Sequence, residues 1–94
     1  MKKCYIAGKI TGTNDFKERF TDAEHEVARM GLLPINPVAL PHNHNKEWNS
    51  YMKECITALM GCDCIYLLKG WDKSPGAKLE HSIANFKGME VFSE

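Results

Sequence analysis

The alternation of four short apolar runs with three longer segments of helical periodicity constrains the fold of this 94-residue chain most strongly. The runs lie at residues 4–7, 32–35, 62–68 and 89–92, and they are too short and too β-prone to be helices. Strands that alternate with helices form parallel sheets, because right-handed crossovers return each strand to the same sheet. We therefore predict an α/β protein with helices on both faces of a four-stranded parallel sheet.

The predicted architecture is a small flavodoxin-like or Rossmann-like three-layer sandwich with the strand order 2-1-3-4. The run at residues 62–68 is apolar almost throughout, which is typical of a central strand buried on both faces. Pro34 in the second run favours a sheet edge or a strand start, because proline has no backbone N–H to donate to a neighbouring strand. This order places a switch point between strands 1 and 3, where ligands bind outside the carboxyl ends of the strands.

The three helices are predicted from apolar residues spaced three and four apart, which form one buried stripe. Thr13 or Asn14 can cap the first helix and Gly31 ends it. Its inward face is predicted to be Phe16, Phe20, Ala23, Val27 and Met30. The inward face of the second helix, which ends at Gly61, is predicted to be Trp48, Met52, Cys55, Ile56 and Leu59. The third helix runs from about Pro75 to Phe86, with an inward face of Leu79, Ile83 and Phe86.

The composition indicates one domain over residues 1–94 and narrows the classes of partner. Lysines and arginines number 12 and match 12 acidic residues, so no net field attracts nucleic acid or an anionic membrane. No apolar run is long enough to span a membrane, and the apolar part of the N-terminus is too short for a signal peptide. We expect a cytoplasmic protein. Because 44% of so short a chain is hydrophobic, we also expect a homodimer or a higher homo-oligomer.

The cysteines and histidines form no pattern typical of a metal site, and we expect neither a metal nor another cofactor. Cys62 and Cys64 lack the spacing of common zinc or redox motifs, and on a strand both thiols would face the same side. His42 and His44 have no neighbouring acid or cysteine spacing that supports metal binding. They lie within residues 38–46, a polar loop that is long for a compact domain and therefore a candidate binding loop.

Two glycine-containing loops follow the strands at the predicted switch point and are candidate ligand loops. The first follows strand 1 and contains Gly8, Lys9, Ile10 and Gly12. Its glycines permit close backbone approach, and its lysine can meet a phosphate. The segment is neither a dinucleotide-binding nor a P-loop motif, so a tight strand-to-helix turn is the alternative interpretation. The second loop, residues 70–74, leads into the third helix.

Glu80 is the candidate reactive group of the third helix. Ser74 can cap this helix, Pro75 suits its first position, and Gly76 lets another group approach its backbone. A carboxylate one turn further can face a group bound at the helix N-terminus and act as a nucleophile, a base or a hydroxyl anchor. Taken alone, a glutamate on a helix is more often a solvated surface residue.

Four segments in this order resemble the nucleoside 2-deoxyribosyltransferase-like superfamily, most closely a small branch common in bacteria and their phages. They are Tyr5-Ile6-Ala7-Gly8-x-Ile10-x-Gly12, Asn36-Pro37, residues 62–71, and Ser74-x-Gly76-Ala77-x-x-Glu80-x-x-x-Ala84. The resemblance covers nearly the whole chain. It implies an N-glycosidase that cleaves or transfers the bond between a base and deoxyribose.

The resemblance also implies catalytic roles for individual residues. Glu80 would be the nucleophile, and Tyr5 would orient it. Asp63 would contact the ligand or assist the departing base. Asp72, at the carboxyl end of strand 3, is the other candidate for that acidic role.

The same resemblance implies a nucleoside or nucleotide ligand. Ser74 and Gly76 would line the sugar or 5′-phosphate pocket, and Asn36 belongs to a matching segment. Trp71 can stack on a base, or it can pack beneath the loop that carries it. In this superfamily a neighbouring subunit helps to close the site, which again predicts a homo-oligomer.

Three classes of function remain open from the sequence. The first is hydrolysis of the N-glycosidic bond, or deoxyribosyl transfer, through a covalent intermediate on Glu80. The second is a non-catalytic protein that binds or sequesters a nucleotide, and the third is an interaction protein that uses the fold as a scaffold. The chain is shorter than well-characterised transferases, which favours hydrolysis or binding over transfer.

Overall fold

A computed structural model describes residues 1–10, 12, 14–39 and 48–94, and only the backbone of residues 48 and 49. Strands and helices alternate along the chain as β1 (Lys3–Ala7), α1 (Phe16–Arg29), β2 (Leu33–Ile35), α2 (Trp48–Met60), β3 (Cys64–Leu67), α3 (Pro75–Lys87) and β4 (Glu90–Ser93). Two short 3₁₀ turns, Pro37–Ala39 and Trp71–Lys73, follow β2 and β3.

The four strands form one parallel sheet in the order β2-β1-β3-β4. Tyr5 of β1 pairs with Ile35 of β2 on one side and with Ile65 of β3 on the other. The predicted fold class, parallel sheet and strand order are therefore confirmed. Every residue of β3 is buried, as predicted for a central strand, and Pro34 lies in the edge strand β2.

The core consists of two clusters because alternate residues of the central strands face opposite sides of the sheet. On one side, α2 and α3 cover Tyr5, Ala7, Ile65 and Leu67. On the other side, α1 covers Cys4, Ile6, Cys64, Tyr66 and Leu68. The result is a three-layer molecule with one helix on one face and two on the other.

The first two helices largely follow their predicted faces. The buried residues of α1 are Phe20, Ala23 and Val27, and those of α2 include Met52, Cys55 and Leu59. Asp15 occupies the N-cap position of α1 without a side-chain capping hydrogen bond, so the predicted cap at Asn14 is wrong, and Thr13 lies outside the described residues. Met30 follows the end of α1 and is 40% exposed, because Gly31 turns the chain there with a φ of +83°.

The predicted inward face of α3 is wrong at Leu79 and Phe86, whereas Ile83 is half-buried and packs against the core as predicted. Leu79 and Phe86 are 41% and 93% exposed, whereas the buried residues are Gly76, Ala77, Glu80 and Ala84. The small side chains on this face let the helix lie close to the sheet. The carboxyl group of Glu80 therefore lies in the interior, which apolar periodicity alone does not predict.

Cys62 and Cys64 lie on opposite sides of the sheet, which corrects the expectation that they share a face. Cys62 precedes the first residue of β3, so strand alternation does not apply to it. Among the described residues, no group of three or more histidine, cysteine or acidic side chains could hold a metal ion. His42, His44 and the other residues from 40 to 47 lie outside the described part of the chain. Within that part, none of the helices combines the length and apolar character that crossing a membrane requires.

Candidate functional site

A cavity of about 330 Å³ opens at the carboxyl ends of the central strands. Most of its wall comes from the end of β1 and the loop after it, the first two turns of α2, and the start of α3, and Phe20 of α1, Pro37 and Lys73 complete it. The described residues that line it are Tyr5, Ile6, Gly8, Lys9, Ile10, Phe20, Pro37, Tyr51, Met52, Cys55, Lys73, Ser74, Pro75, Gly76, Ala77 and Glu80. This is the edge of the sheet at which the predicted strand order places a ligand.

The start of α3 is fixed by local sequence. The Ala77 amide donates to Ser74 Oγ at 3.2 Å, and Pro75 occupies the first turn, where a missing N–H does no harm. Gly76 allows a close approach, because a Cβ atom there would lie 3.1 Å from Met52 Sδ. These three residues set the direction from which α3 enters the cavity wall.

Gly8 has a related role at the end of β1. A Cβ atom on Gly8 would lie 2.8 Å from Leu68 Cδ1, a distance at which the neighbouring side chain has to move. The absence of a side chain lets the loop after β1 pass closely over the end of β3. That passage places Lys9 and Ile10 in the cavity wall.

Glu80 lies at the floor of the cavity, between α3 and the sheet. Its side chain is 6% exposed, and the Tyr5 hydroxyl donates to its Oε2 at 2.5 Å. Tyr5 is itself fully buried in β1. The pair therefore joins the central strand to the helix through one short hydrogen bond across the interior.

Burial raises the pKa of Glu80 from 4.5 to about 7, while the hydrogen bond from Tyr5 acts in the opposite direction. Burial, followed by the neighbouring charge of Glu80, raises the pKa of Tyr5 far above its ordinary value. Tyr5 is therefore a permanent donor at neutral pH. Glu80 is divided between its neutral and ionised forms there, which is the condition a carboxyl group needs to switch between acid and nucleophile or base.

Helix α2 supplies three lining residues that the sequence analysis did not select for the site: Tyr51, Met52 and Cys55. Burial raises the pKa of Tyr51 and of the Cys55 thiol. The sequence contained a pattern from which these three residues could have been predicted. In a crossover the helix begins at the carboxyl end of the preceding strand, so inward residues in the first two turns of α2 belong to the ligand edge.

Two lysines bring positive charge to the cavity. Lys9 follows β1 and Lys73 ends the 3₁₀ turn after β3, so they approach from the two loops of the switch point. Lys73 was not among the predicted site residues. Among the described lining residues, Glu80 is the only acid, so little negative charge repels an anionic group here.

Seven of the predicted site residues lie together in the cavity wall: Tyr5, Gly8, Lys9, Ile10, Ser74, Gly76 and Glu80. They come from separate parts of the sequence and meet because β1 and β3 are adjacent and parallel. Their functional roles remain predictions, but their proximity is a property of the fold.

Asp63 lies away from the cavity. It precedes β3, and its Oδ2 accepts a hydrogen bond of 3.0 Å from the backbone N–H of Lys3 at the start of β1. This is the amino end of the parallel strands, whereas the cavity lies at their carboxyl ends. Asp72, the alternative acid, is exposed in the turn after β3 and is also absent from the described lining.

Three further predicted residues lie outside the described lining. Asn36 is buried and donates to Glu24 Oε1 at 2.7 Å, while its own Oδ1 accepts from the Val38 amide at 2.9 Å, so it shapes the turn after β2. Trp71 packs against the core, with its ring centroid 4.5 Å from that of His81. Gly12 is exposed and provides a turn with a φ of +82°.

Residues 2–93 match the model of a protein family described as "Domain of unknown function (DUF4406)". The match begins before β1 and extends to the end of β4, so it includes the whole sheet and every described residue of the cavity wall. Comparison with curated proteins gave no match to this chain.

Proposed function

The chain belongs to the DUF4406 family, and we propose that it cleaves the N-glycosidic bond of nucleosides or nucleoside 5′-monophosphates with Glu80 as the nucleophile. One observation carries the proposal. A buried carboxyl group with a pKa of about 7 lies at the floor of a strand-end cavity and is held by a tyrosine hydroxyl. Strongly perturbed carboxyl groups in clefts are candidates for catalysis, since ordinary structural glutamates remain solvated.

The proposed reaction uses the ionised form of Glu80. Tyr5 engages Oε2, which leaves Oε1 to attack C1′ of the sugar. The new C–O bond forms as the C1′–N bond breaks, and the departing base retains the electron pair and takes up a proton. Attack by water on the same carbon then releases the sugar and regenerates the carboxylate, whereas attack by a second base transfers the sugar.

The resemblance to the nucleoside 2-deoxyribosyltransferase-like superfamily supports the same assignment. The motif glutamate of that superfamily corresponds to Glu80, and its first-strand tyrosine corresponds to Tyr5. The Tyr5 hydrogen bond matches the orienting role that the resemblance implies. Asp63 has no place in the proposed reaction because it lies at the other end of the sheet.

The test is incubation of the protein with 2′-deoxynucleosides and their 5′-monophosphates, with chromatographic detection of free base. Glu80→Gln keeps the shape of the side chain but removes the nucleophile, and we expect base release to fall by about 10³-fold or more. Glu90→Gln, an exposed change in β4, is the matched control and should retain activity. Base release that persists unchanged in Glu80→Gln would refute the nucleophile role.

The two lysines favour a phosphorylated substrate within this class. Both Lys9 and Lys73 line the cavity, and the α3 N-terminus beside them adds a partial positive charge. We expect Lys73→Gln to weaken binding of a nucleoside 5′-monophosphate by about twofold to fivefold, as for an exposed ion pair, with little effect on the nucleoside. Calorimetric titration with both ligands measures this difference when Lys73→Gln is introduced into the Glu80→Gln protein and the two proteins are compared.

Lys78→Gln is the control for that measurement, since Lys78 is an exposed lysine of α3 outside the described lining. Equal losses for the nucleoside and the monophosphate would contradict a phosphate contact at Lys73. A loss of the same size in Lys78→Gln would indicate a general charge effect.

A second function is favoured by one observation: Glu80 is the only acid among the described lining residues, and neither Asp63 nor Asp72 joins it. Departure of a base is easier with a second group that supplies a proton. A site that lacks such a group among its described residues suits a protein that binds or sequesters a nucleotide. Recovery of an intact nucleotide after tight binding would favour this alternative.

We also propose that the chain forms a homodimer or a higher homo-oligomer. Phe86 and Leu79 expose apolar surface on α3, the helix that carries Glu80. Covering this surface with a second copy would remove it from water. The physical gain is the hydrophobic free energy of a large aromatic and a leucine side chain.

A further inference from the structure

Asn36 links two elements that contribute to the cavity wall. Its side-chain amide donates to Glu24 Oε1 of α1 at 2.7 Å, and its Oδ1 accepts from the Val38 amide at 2.9 Å. Because the Val38 N–H can only donate, it must meet the amide oxygen of Asn36, and the NH₂ group then points at the carboxylate. The orientation of the Asn36 side chain is therefore fixed from both ends.

Each partner of the Asn36–Glu24 hydrogen bond is close in sequence to a residue that lines the cavity. Phe20 lies one turn before Glu24 on the same face of α1, and Pro37 directly follows Asn36. Both of these lining residues are buried, and we call them the Phe20–Pro37 wall. The hydrogen bond thus connects the two separate elements from which this wall is built.

Asn36 itself lies behind the wall. Its side chain is 8% exposed and is absent from the described lining of the cavity. The Ala39 amide donates to the Asn36 carbonyl at 3.1 Å, which closes the 3₁₀ turn that contains Pro37. A buried amide that is engaged through both its oxygen and its nitrogen holds its neighbours in place. Asn36 therefore fixes the turn after β2 through its backbone and its side chain.

We infer that Asn36 and Glu24 are positioning residues that hold the Phe20–Pro37 wall against the base of a bound nucleoside, a role that rests on the N-glycosidic function proposed above. In the proposed substrates the base is the large apolar part, and an apolar wall suits it better than a phosphate or a sugar hydroxyl. Neither positioning residue contacts the reacting bond. Loss of their hydrogen bond therefore weakens binding and leaves Glu80 and Tyr5 in place.

Reversal of the hydrogen bond tests this role. In Asn36→Asp two carboxylates face each other, and neither can donate. Adding Glu24→Gln supplies an NH₂ group on α1 that donates to the new carboxylate, so this double variant restores the link with donor and acceptor exchanged. Adding Glu18→Gln to Asn36→Asp is the matched control. It restores the same net charge at an exposed residue of α1 but leaves the link broken.

Two measurements on the full chain follow the link. Amide hydrogen exchange of Val38, measured by NMR in the free protein, reports whether the turn after β2 is held. Calorimetric titration with 2′-deoxyadenosine, 2′-deoxyguanosine, 2′-deoxycytidine and thymidine reports the wall, in proteins that also carry Glu80→Gln. These ligands lack a phosphate, so the charge of the introduced aspartate does not repel them.

We expect Asn36→Asp to speed exchange of the Val38 amide and to weaken nucleoside binding, each by about tenfold, the size of one buried hydrogen bond. The double variant with Glu24→Gln should return both quantities to within about twofold of the original values. The double variant with Glu18→Gln should return neither. Circular dichroism establishes that each variant is folded. If Asn36→Asp is not, the comparison of Glu24→Ala with Glu18→Ala takes its place.

The outcomes separate the positioning role from the proposed function. Unchanged Val38 exchange in Asn36→Asp, or equal recovery in the two double variants, would overturn the positioning role. Unaffected nucleoside binding alongside faster Val38 exchange would also overturn it, because the link would then support the fold alone. Base release by the wild type would leave the N-glycosidic function standing in each of these cases. Absence of both nucleoside binding and base release would refute that function together with the contact to a base.

Discussion

Glu80 occupies a position on α3 where an apolar side chain would be more stable. It lies on the buried face between Ala77 and Ala84, one turn from each, and it is 6% exposed. Burial of a carboxyl group in this layer penalises its charged form, which is why its pKa rises to about 7. The Tyr5 hydroxyl offsets part of this penalty. Burial of this carboxyl group lowers the stability of the fold and gives the group a pKa suited to catalysis.

The raised pKa of Glu80 predicts that the folded protein loses stability as pH rises from about 4.5 to about 7. Below this range the carboxyl group is neutral in both states. Within the range the unfolded chain ionises first, so the neutral folded form is progressively disfavoured, and above it the loss is complete. The shift corresponds to about 3 kcal/mol in total.

Urea unfolding between pH 4 and pH 8 measures this loss. Glu80→Gln removes the titrating group, so its stability relative to the wild type should rise across this window by about 3 kcal/mol. Glu90→Gln, an exposed change, should follow the wild-type curve. Parallel curves for wild type and Glu80→Gln would contradict a raised pKa at this position.

The elements that position the site are the two strand-to-helix passages after β1 and β3. Each contains a glycine that permits close contact, with Leu68 at Gly8 and with Met52 at Gly76. The contact at Gly8 involves the branched end of a fully buried leucine, whereas the contact at Gly76 involves a flexible thioether. The first passage therefore tolerates added volume less well than the second.

Gly8→Ala tests this difference. The added methyl group would lie 2.8 Å from Leu68 Cδ1, and overpacking of this kind destabilises a core by about 1–3 kcal/mol. We expect a lower thermal midpoint and weaker binding in the cavity. Gly61→Ala is the control, because its Cβ atom would meet only the Ala58 carbonyl oxygen at 3.6 Å, an ordinary contact. Equal thermal midpoints for the two variants would contradict close packing between Gly8 and Leu68.

At the scale of the whole molecule, α1 and α3 differ in how much large apolar surface they leave exposed to water. Helix α1 buries Phe20 and Val27 almost completely, whereas α3 leaves Phe86 and Leu79 in contact with water. Because the small residues of α3 face the sheet, Leu79 and Phe86 face outward, while Ile83 packs against the core. Self-association through α3 is the proposed consequence.

Size-exclusion chromatography with light scattering tests this proposal. We expect a mass of at least two chains for the wild type and a smaller mass for the double change Leu79→Ser and Phe86→Ser, which removes the apolar surface. Met30→Ser is the control, since Met30 is exposed to the same extent as Leu79 but follows α1. A wild-type mass of one chain would refute the proposed oligomer.

Most of the architecture could be predicted because strand alternation and crossover handedness are local or general rules. The order of β-prone and helical segments led to the parallel sheet and its strand order, and capping residues placed the start of α3 at Pro75. The site was predicted in part for the same reason. Residues immediately after β1 and β3 meet wherever these strands are neighbours, as Gly8, Lys9 and Ser74 do.

The remaining site residues depend on distances that a linear pattern does not contain. Asp63 belongs to one of the four motif segments, but the direction of β3 places it at the opposite end of the sheet from Glu80. Tyr51 and Cys55 lie outside all four motif segments, yet α2 brings them into the cavity wall.

Local sequence thus accounts for the elements, their order and the loops at the ligand edge, because hydrophobic period, caps and glycines act over a few residues. Only the packing of α3 against the sheet decided that Glu80 is buried and that Phe86 is exposed, contrary to apolar periodicity. The pKa of Glu80 and its contact with Tyr5 follow from that packing, since desolvation and hydrogen bonding depend on neighbours that are 75 residues apart.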